Sequence, residues 1–388
     1  MVENTSGRSN MKKHILFIMP DLPSGGAEKV LIDILRNFDY KLYDVTLLLK
    51  YRQGVYLNDI PSAVRLKTMF GASNIWVERW HRLLGMLHCY HLYHSIVHKL
   101  VLLFTLRGLK FDTIVSFMEG EAVRLHSYIV GKATKNVSWV HIDLKTKHWS
   151  KVFFRSDCQE QDAYEKMDRI VFVSREAKAK FLELFGIDAG KCSVQYNLID
   201  SATIRELALS KDVKKEKLTV CMVGRLNGQK RYDRALRVVK RLKEDGLDFV
   251  LWILGEGALQ GEIRETIDKY GVVDYVELKG FVKPSYAYMK AADVYWNTSE
   301  AEGYPLVVCE ALCLGVPVVA TDICGTNEIL SAGRYGCLTK EDEESIYAVM
   351  KNMLVSKKMR EEYSQKAIEG AAVFDVKKVM GEIYSLLQ

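Results

Sequence analysis

Residues 210–225 read SKDVKKEKLTVCMVGR: a charged, turn-rich run, then a short apolar segment that ends in glycine and arginine. The segment LTVCMVGR (218–225) has the length and continuous apolar character of a strand buried on both faces. It opens a series of such runs: FVLWILGEG (249–257), YVELKGF (275–281), DVYWNTS (293–299) and PVVAT (317–321), each followed by a helical segment or a loop. The same pattern lies upstream of the charged run, in HILFIMP (14–20), DVTLLLK (44–50), FDTIVSFM (111–118), VSWVH (137–141), RIVFVS (169–174) and SVQYN (193–197). Helix-like stretches such as AEKVLIDILRNF (27–38) and REAKAKFLELF (175–185) separate these runs. Apolar strands alternating with helices predict a parallel sheet covered on both faces, and the restart at 218 predicts two of them.

The length, 388 residues, suits two domains better than one core. The expected division is a loose polar tail over 1–10, an N-terminal Rossmann-like domain over 11–200, a linker over 201–217 and a C-terminal Rossmann-like domain over 218–365. A helical segment over 366–388 is expected to pack back toward the N-terminal domain. Hydrophobic residues at 48% and charged residues at 27% describe an ordinary globular chain. Its eight cysteines are scattered without a C-x-x-C pair, and the polar start MVENTSGRSN has no signal-peptide core, so the thiols read as reduced and the protein as cytoplasmic. No apolar run reaches the roughly 18–20 residues of a membrane span.

The net charge of +6 is clustered in one place. Residues 79–110, RWHRLLGMLHCYHLYHSIVHKLVLLFTLRGLK, contain no acidic residue and carry Arg79, Arg82, Lys99, Arg107 and Lys110 among many apolar and aromatic side chains. Two readings stand: a basic amphipathic helix for an anionic membrane surface or lipid-linked substrate, or a core helix with a solvated basic face. His88, His91, His94 and His98 share a helical face there, but without partner carboxylates they do not make a metal site. Nothing in the chain suggests a nucleic-acid partner.

In doubly wound sheets ligands bind where strands end, so the loops after strands carry the chemistry. After the first strand, Ser24, Gly25 and Gly26 open a helix whose N-terminal amides suit an anion, although a glycine turn alone has a steric explanation. After LTVCMVGR, Arg225 and Lys230 place two cations on one loop, a charge pattern suited to pyrophosphate. LGEG (254–257), with Gly255, continues to Gly261 with spacing that misses the dinucleotide fingerprint G-x-G-x-x-G, which argues against a nicotinamide cofactor and for a strand-end turn. After DVYWNTS, EGYPLVVCE (302–310) places Glu302 in a loop and Glu310 inside the following helix, which Gly315 ends. The amides near Leu306 and Val307 stand at that helix's positive end, and carboxylates accept hydrogen bonds from vicinal hydroxyls, such as those of ribose or a hexose.

The segment SEAEGYPLVVCEALCLGVPVVATDICG (299–325) resembles the donor site of glycosyltransferase family 4, retaining and metal-independent enzymes of the GT-B fold. The family's E-x7-E pair falls on Glu302 and Glu310. GGAE (25–28), YNLID (196–200), VGRLNGQK (223–230), LGEG (254–257) and KGFV (279–282) follow in the family's order over nearly the whole chain. The resemblance implies an α/β, GT-B protein with two Rossmann-like doubly wound domains facing across a cleft. It implies that Glu310 binds ribose hydroxyls, and that Glu302, with Gly303 and Tyr304 beside it, contacts the transferred sugar. Arg225 and Lys230 would neutralise the diphosphate, with backbone donors from Gly25, Gly26, Leu306 and Val307. Gly255 would line the site, the backbone of Phe281 and Val282 would meet the base, and His141 would reach the donor sugar. The reaction so implied moves a hexose or N-acetylhexosamine from a nucleotide diphosphosugar, UDP-linked, to a saccharide acceptor, as in capsule, exopolysaccharide or lipopolysaccharide assembly; the basic apolar segment 79–110 suggests that the acceptor is lipid-linked and the enzyme peripheral on the inner membrane face.

No cofactor is implied, and the chain contains no Asp-x-Asp triplet to clamp a metal diphosphate. Pro305 departs from a glycine frequent in the family and lacks an N–H, which bears on sugar selectivity. Two rival readings are a catalytically silent GT-B-like partner subunit and a GT-B-fold sugar-nucleotide epimerase.

Overall fold

The computed structural model describes residues 12–71 and 90–388, with side chains of 90–95 left out. The expected tail and the part of the basic segment before residue 90, with Arg79, Arg82 and His88, lie outside the described residues, as do the side chains of His91 and His94. The chain divides into two compact units, residues 1–195 with 378–388, and residues 196–377.

The first unit runs β1 (Lys13–Met19), α1 (Gly26–Arg36), β2 (Tyr43–Tyr51), β3 (Arg65–Phe70), α2 (Tyr90–Thr105), β4 (Phe111–Ser116), α3 (Glu121–Ser127), β5 (Ala133–Val140), α4 (Asp157–Glu165), β6 (Arg169–Phe172), α5 (Arg175–Phe185) and β7 (Cys192–Val194). Its seven strands pair in parallel in the order β3-β2-β1-β4-β5-β6-β7. The central strand explains why it forms: Ile15, Leu16, Phe17, Ile18 and Met19 are all at most 1% exposed, and burying each such side chain contributes about 1.5–3 kcal/mol. α5 starts where Ser174 accepts from the Ala177 N–H and ends at Gly186 in the left-handed region, φ 62°. β3 was not expected from the sequence. It is an edge strand with only Met69 buried, so it carries no continuous apolar run.

α2 is held to this sheet by buried charge. Lys50 at the end of β2 donates to Glu121 Oε1 at 2.6 Å, Arg124 Nη2 reaches the same oxygen at 3.2 Å, and His98 Nδ1 lies 3.1 Å from Arg124 Nη2. His98 is thus a core residue of α2, 1% exposed.

The second unit runs α6 (Ser201–Leu207), β8 (Thr219–Val223), α7 (Tyr232–Glu244), β9 (Val250–Leu254), α8 (Gln260–Lys269), β10 (Val276–Gly280), α9 (Tyr286–Ala291), β11 (Val294–Asn297), α10 (Leu306–Cys313), β12 (Val318–Thr321), α11 (Thr326–Ile329), β13 (Cys337–Thr339), α12 (Glu343–Val355) and α13 (Lys357–Ala371). Its six parallel strands are ordered β10-β9-β8-β11-β12-β13. α7 presents Ala235, Leu236, Val238, Val239 and Leu242, all 0% exposed, to the core, at the spacing of an amphipathic helix. Truncating Leu236 to Ala would cost about 2–5 kcal/mol.

Three boundaries differ from those read in the sequence. Residues 196–200, expected in the N-terminal domain, belong to the second unit. The stretch 201–217 expected as a linker contains α6, a helix of the second unit capped by Asp200, whose side chain accepts from the Thr203 N–H. The C-terminal segment expected from 366 joins the first unit only from residue 378. The last helix, α14 (Val376–Leu387), stacks the Tyr384 ring on Tyr43 at 5.2 Å, and the Leu387 carbonyl accepts from Thr113 Oγ1 at 2.8 Å. α13 stays with the second unit because Gly370 and Ala371 give it a small-residue face that packs there.

Candidate functional site

In the second sheet the strand order reverses between β8 and β11, which is where a doubly wound sheet opens to a ligand. The loops that leave these two strands hold Arg225, Lys230, Glu302, Gly303 and Tyr304. After β8 the chain runs Gly224, Arg225, Leu226 and Asn227 into a short turn, Gly228–Lys230, before α7. After β11 it runs Thr298 to Pro305 before α10.

Lys230 Nζ lies 2.6 Å from Glu302 Oε1, with side chains 17% and 12% exposed. The Ser299 hydroxyl donates to the same Glu302 oxygen at 2.8 Å. The stem of Lys230 lies over Gly224, where an added Cβ would come within 2.9 Å of its Cε. Arg225 is exposed at the end of β8, and its side chain has no hydrogen bond or ion pair among the described residues. The Tyr232 hydroxyl donates to the Gly224 carbonyl at 3.1 Å, and burial pushes its phenol well above the ordinary range.

Glu310 lies in the second turn of α10 and is 4% exposed, with Tyr286 donating to its Oε1 at 3.4 Å. Pro305, φ −69°, is the residue before the helix, and Leu306 is its first. The N–H groups of Leu306 and Val307 therefore have no acceptor inside the helix. Proline suits this entry because its fixed φ matches the conformation and its missing N–H breaks no helical bond. Gly303 is buried, and the Tyr304 ring lies 5.4 Å from that of Tyr196, with burial raising its phenol. Gly255, φ 144°, closes against the first loop: an added Cβ would stand 2.0 Å from the Gly224 carbonyl oxygen, so only glycine fits. After β10, Phe281 is 43% exposed and Val282 is intermediate.

Sequence reasoning missed the residues that tie the two loops together. Glu300 N–H donates to the Gln229 carbonyl at 3.0 Å, and Gln229 Nε2 donates to the Ala301 carbonyl at 2.7 Å. Thr298 Oγ1 donates to the Lys230 carbonyl at 2.8 Å. Single hydroxyl and amide residues have no periodicity. Their adjacency to the motifs, NTSE beside Glu302 and GQKR around Lys230, was the available signal.

Three expected site residues belong to the first unit. His141 follows β5, its N–H donating to Glu119 Oε2 at 2.9 Å and its ring 4.9 Å from Phe117. Burial lowers the imidazole pKa to about 3 against a bond to the Phe117 backbone, so the ring is neutral. Its Nε2 is buried with no partner among the described residues. Glu119, which also accepts from Trp149 Nε1 at 3.0 Å, is held above the usual carboxylate range by burial. Gly25 precedes α1 and its N–H donates to the Pro23 carbonyl at 2.9 Å, while the Glu28 carboxylate folds over it, 2.0 Å from where a Cβ would stand. Gly26 is the first residue of α1.

Residues 204–370 match the family model described as Glycosyl transferases group 1. This match covers the whole β8–β11 site. The chain is 34% identical over 218 residues, 56% of this chain and 59% of that protein, to the N-acetylgalactosamine-N,N'-diacetylbacillosaminyl-diphospho-undecaprenol 4-alpha-N-acetylgalactosaminyltransferase of Campylobacter jejuni. It is 35% identical over 135 residues, 32% of this chain and 33% of that protein, to the putative colanic acid biosynthesis glycosyltransferase WcaL of Escherichia coli. The chain thus spans less than two thirds of the length of these relatives. Among solved structures, the Anabaena protein HepE in complex with UDP and glucose superposes with a TM-score of 0.75 at 20% identity, covering 97% of this chain and 99% of that one. The fold is α/β, of the GT-B class, with two Rossmann-like parallel-sheet domains.

Proposed function

We propose that this protein is a glycosyltransferase that moves a hexose or N-acetylhexosamine from a nucleotide diphosphosugar, UDP-linked, to a lipid-linked saccharide acceptor in surface-polysaccharide assembly. The observation that carries this reading is the Lys230–Glu302 pair, set at the reversal of strand order inside the family-matched region. A cation and a carboxylate side by side suit the two ends of a sugar nucleotide: Lys230 and exposed Arg225 for the diphosphate, Glu302 for sugar hydroxyls. In this reading Glu310 takes the ribose hydroxyls, Phe281 and Val282 meet the base, and the free amides of Leu306 and Val307 and the Gly26 turn add phosphate donors. Gly255, Gly303 and Tyr304 shape the walls. His141, neutral and with Nε2 unpartnered, accepts from a hydroxyl of the donor sugar.

As the nucleoside diphosphate leaves, charge grows on its phosphate, and fixed cations and amides stabilise it without reorganisation. Arg225 and Lys230 supply the positive charge that a metal clamp would bring, so the reaction is metal-independent. The acceptor hydroxyl attacks from the face the leaving group departs, and a phosphate oxygen takes its proton, giving retention. No side chain is then needed as a general base.

The exposed face of α2 supports a lipid-linked acceptor. Ile96, Leu100 and Phe104, spaced four apart, are 51%, 62% and 76% exposed, and Ile96 and Leu100 line a groove of about 510 Å³ together with Lys99 and Arg155. An apolar stripe edged by cations suits an anionic bilayer, which supports a peripheral position on the inner membrane face. Among the described residues no helix is long and apolar enough to cross one.

The test is nucleoside diphosphate release from a panel of nucleotide sugars in the presence of a membrane lipid extract. Release from one donor, dependent on the extract, supports the reading. Release from none refutes it, and an epimerised donor appearing without extract would favour an epimerase instead.

A further inference from the structure

Arg231, immediately after Lys230, has φ 52° and ψ 47°. Left-handed backbone at a non-glycine residue with a long side chain is uncommon and costs about 1 kcal/mol or more, so its surroundings must hold it. Among the described residues outside glycine, only Ser331 and Ala332 share a positive φ.

Two groups hold this turn. Thr298, 1% exposed, donates its hydroxyl to the carbonyl of Lys230 at 2.8 Å and stands 3.2 Å from that of Arg231, gripping both sides of the kinked residue. The Arg231 guanidinium forks onto Asp233, Nε to Oδ1 at 3.0 Å and Nη2 to Oδ2 at 3.0 Å, and its Nη1 reaches Glu300 Oε2 at 3.4 Å. The turn is thereby fastened at one end to the start of α7 and at the other to the loop that carries Glu302. Lys230 leaves the backbone at this point, and its ammonium meets Glu302.

We propose that Thr298 and Arg231 are positioning residues of the donor site: together they fix the left-handed turn that aims the Lys230 ammonium at Glu302 and at the diphosphate of the donor. The inference rests on the function proposed above for Lys230. Neither residue touches the donor in this account. A turn needed only to start α7 would explain the left-handed backbone but not the grip of Thr298, which comes from the opposite loop. Without that grip the β8 loop keeps its strand and helix but loses its register against the β11 loop.

The test uses Thr298→Val, which keeps shape and loses the hydroxyl, Thr298→Ser, which keeps the hydroxyl, and Arg231→Gly, which accepts the backbone conformation without strain but has no fork. The first readout is the labelling rate of the Lys230 amine in the ligand-free full-length protein, measured by mass spectrometry. The second is affinity for UDP, GDP and ADP by calorimetry, with melting temperature recorded for every variant. Thr298→Val and Arg231→Gly are expected to speed Lys230 labelling several-fold and to weaken nucleoside diphosphate binding by about tenfold, the scale of one lost charge-assisted contact. Thr298→Ser should restore both. Unchanged labelling in Thr298→Val and Arg231→Gly would overturn the inference, as would labelling that Thr298→Ser fails to restore. If the wild type binds none of the three nucleotides, the functional reading of Lys230 fails and the proposal with it. The labelling rates would still show whether the turn aims the ammonium, which separates the two failures.

Discussion

Removing Lys230 and Glu302 singly and together separates what their pair does for stability from what it does for turnover. The two side chains are mostly buried, at 17% and 12% exposure, and 2.6 Å apart. Lys230→Met leaves Glu302 with the Ser299 hydroxyl as its remaining donor. Breaking a fully buried pair from one side costs about 3–5 kcal/mol, and residual solvent access brings the figure here to about 2 kcal/mol. Glu302→Gln costs less, since the amide oxygen still accepts from Ser299 and Lys230. In the double variant no charge is stranded, so stability should return to within about 1 kcal/mol of wild type, a coupling of about 1–2 kcal/mol. Turnover should not return, because the diphosphate has lost its cation, and kcat/KM should stay down about 10²–10³-fold. Urea unfolding measures the first quantity and nucleoside diphosphate release the second. Strictly additive stabilities, or a double variant as active as wild type, would refute the assignment of both residues.

Three further outcomes follow from the geometry. Gly255→Ala should destabilise the second unit by at least about 2 kcal/mol and abolish donor binding, since its Cβ would stand 2.0 Å from the Gly224 oxygen; a variant with wild-type melting would contradict that packing. His126 is buried between Ser116 and Asn136, and burial lowers its pKa from 6.5 to about 4. Its neutral form is the folded one, so its contribution of about 3 kcal/mol is present above pH 6.5 and is lost as pH falls toward 4; His126→Gln should flatten the stability slope over that interval, and an unchanged slope in urea titrations would refute this. Leu100→Ser with Phe104→Ser should reduce sedimentation with phosphatidylglycerol vesicles while leaving release from a soluble acceptor intact; vesicle binding that ignores both changes and added salt would remove α2 as the docking face.

The parts of this fold visible in the sequence are those with a strong periodic or continuous apolar pattern. The central strands β1, β8 and β9 are buried on both faces and so appear as unbroken apolar runs, and α5 spans the residues its pattern marked, from the Ser174 cap to Gly186. β3 and β13 escaped because an edge strand is only partly buried and β13 has three residues. The start of β5 escaped for the same reason, its first residues being partly exposed. The switch from α6 as linker to α6 as part of the second unit was hidden because SATIREL buries only Ile204.

In the site, charged residues at strand ends were legible since charge at a buried edge needs a purpose, and Lys230 and Glu302 do meet. Their pairing with each other was not legible: spacing along the chain says nothing about which of two loops leans on the other. Thr298, Ser299 and Gln229 were invisible for a related reason, as each acts through bonds to a backbone carbonyl or a carboxylate that no spacing along the chain announces.

In the proposed reaction a sugar leaves a nucleotide and arrives on a lipid-linked saccharide. The most direct measurement incubates the purified protein with isotopically labelled nucleotide sugars and membrane lipid extract, then follows the label into the lipid fraction by mass spectrometry. One donor is expected whose hexose or N-acetylhexosamine enters that fraction with the anomeric configuration retained, with no incorporation in Lys230→Met or Glu302→Ala. Label that stays on the nucleotide with every donor, or that transfers equally well in those two variants, would contradict the proposed reaction.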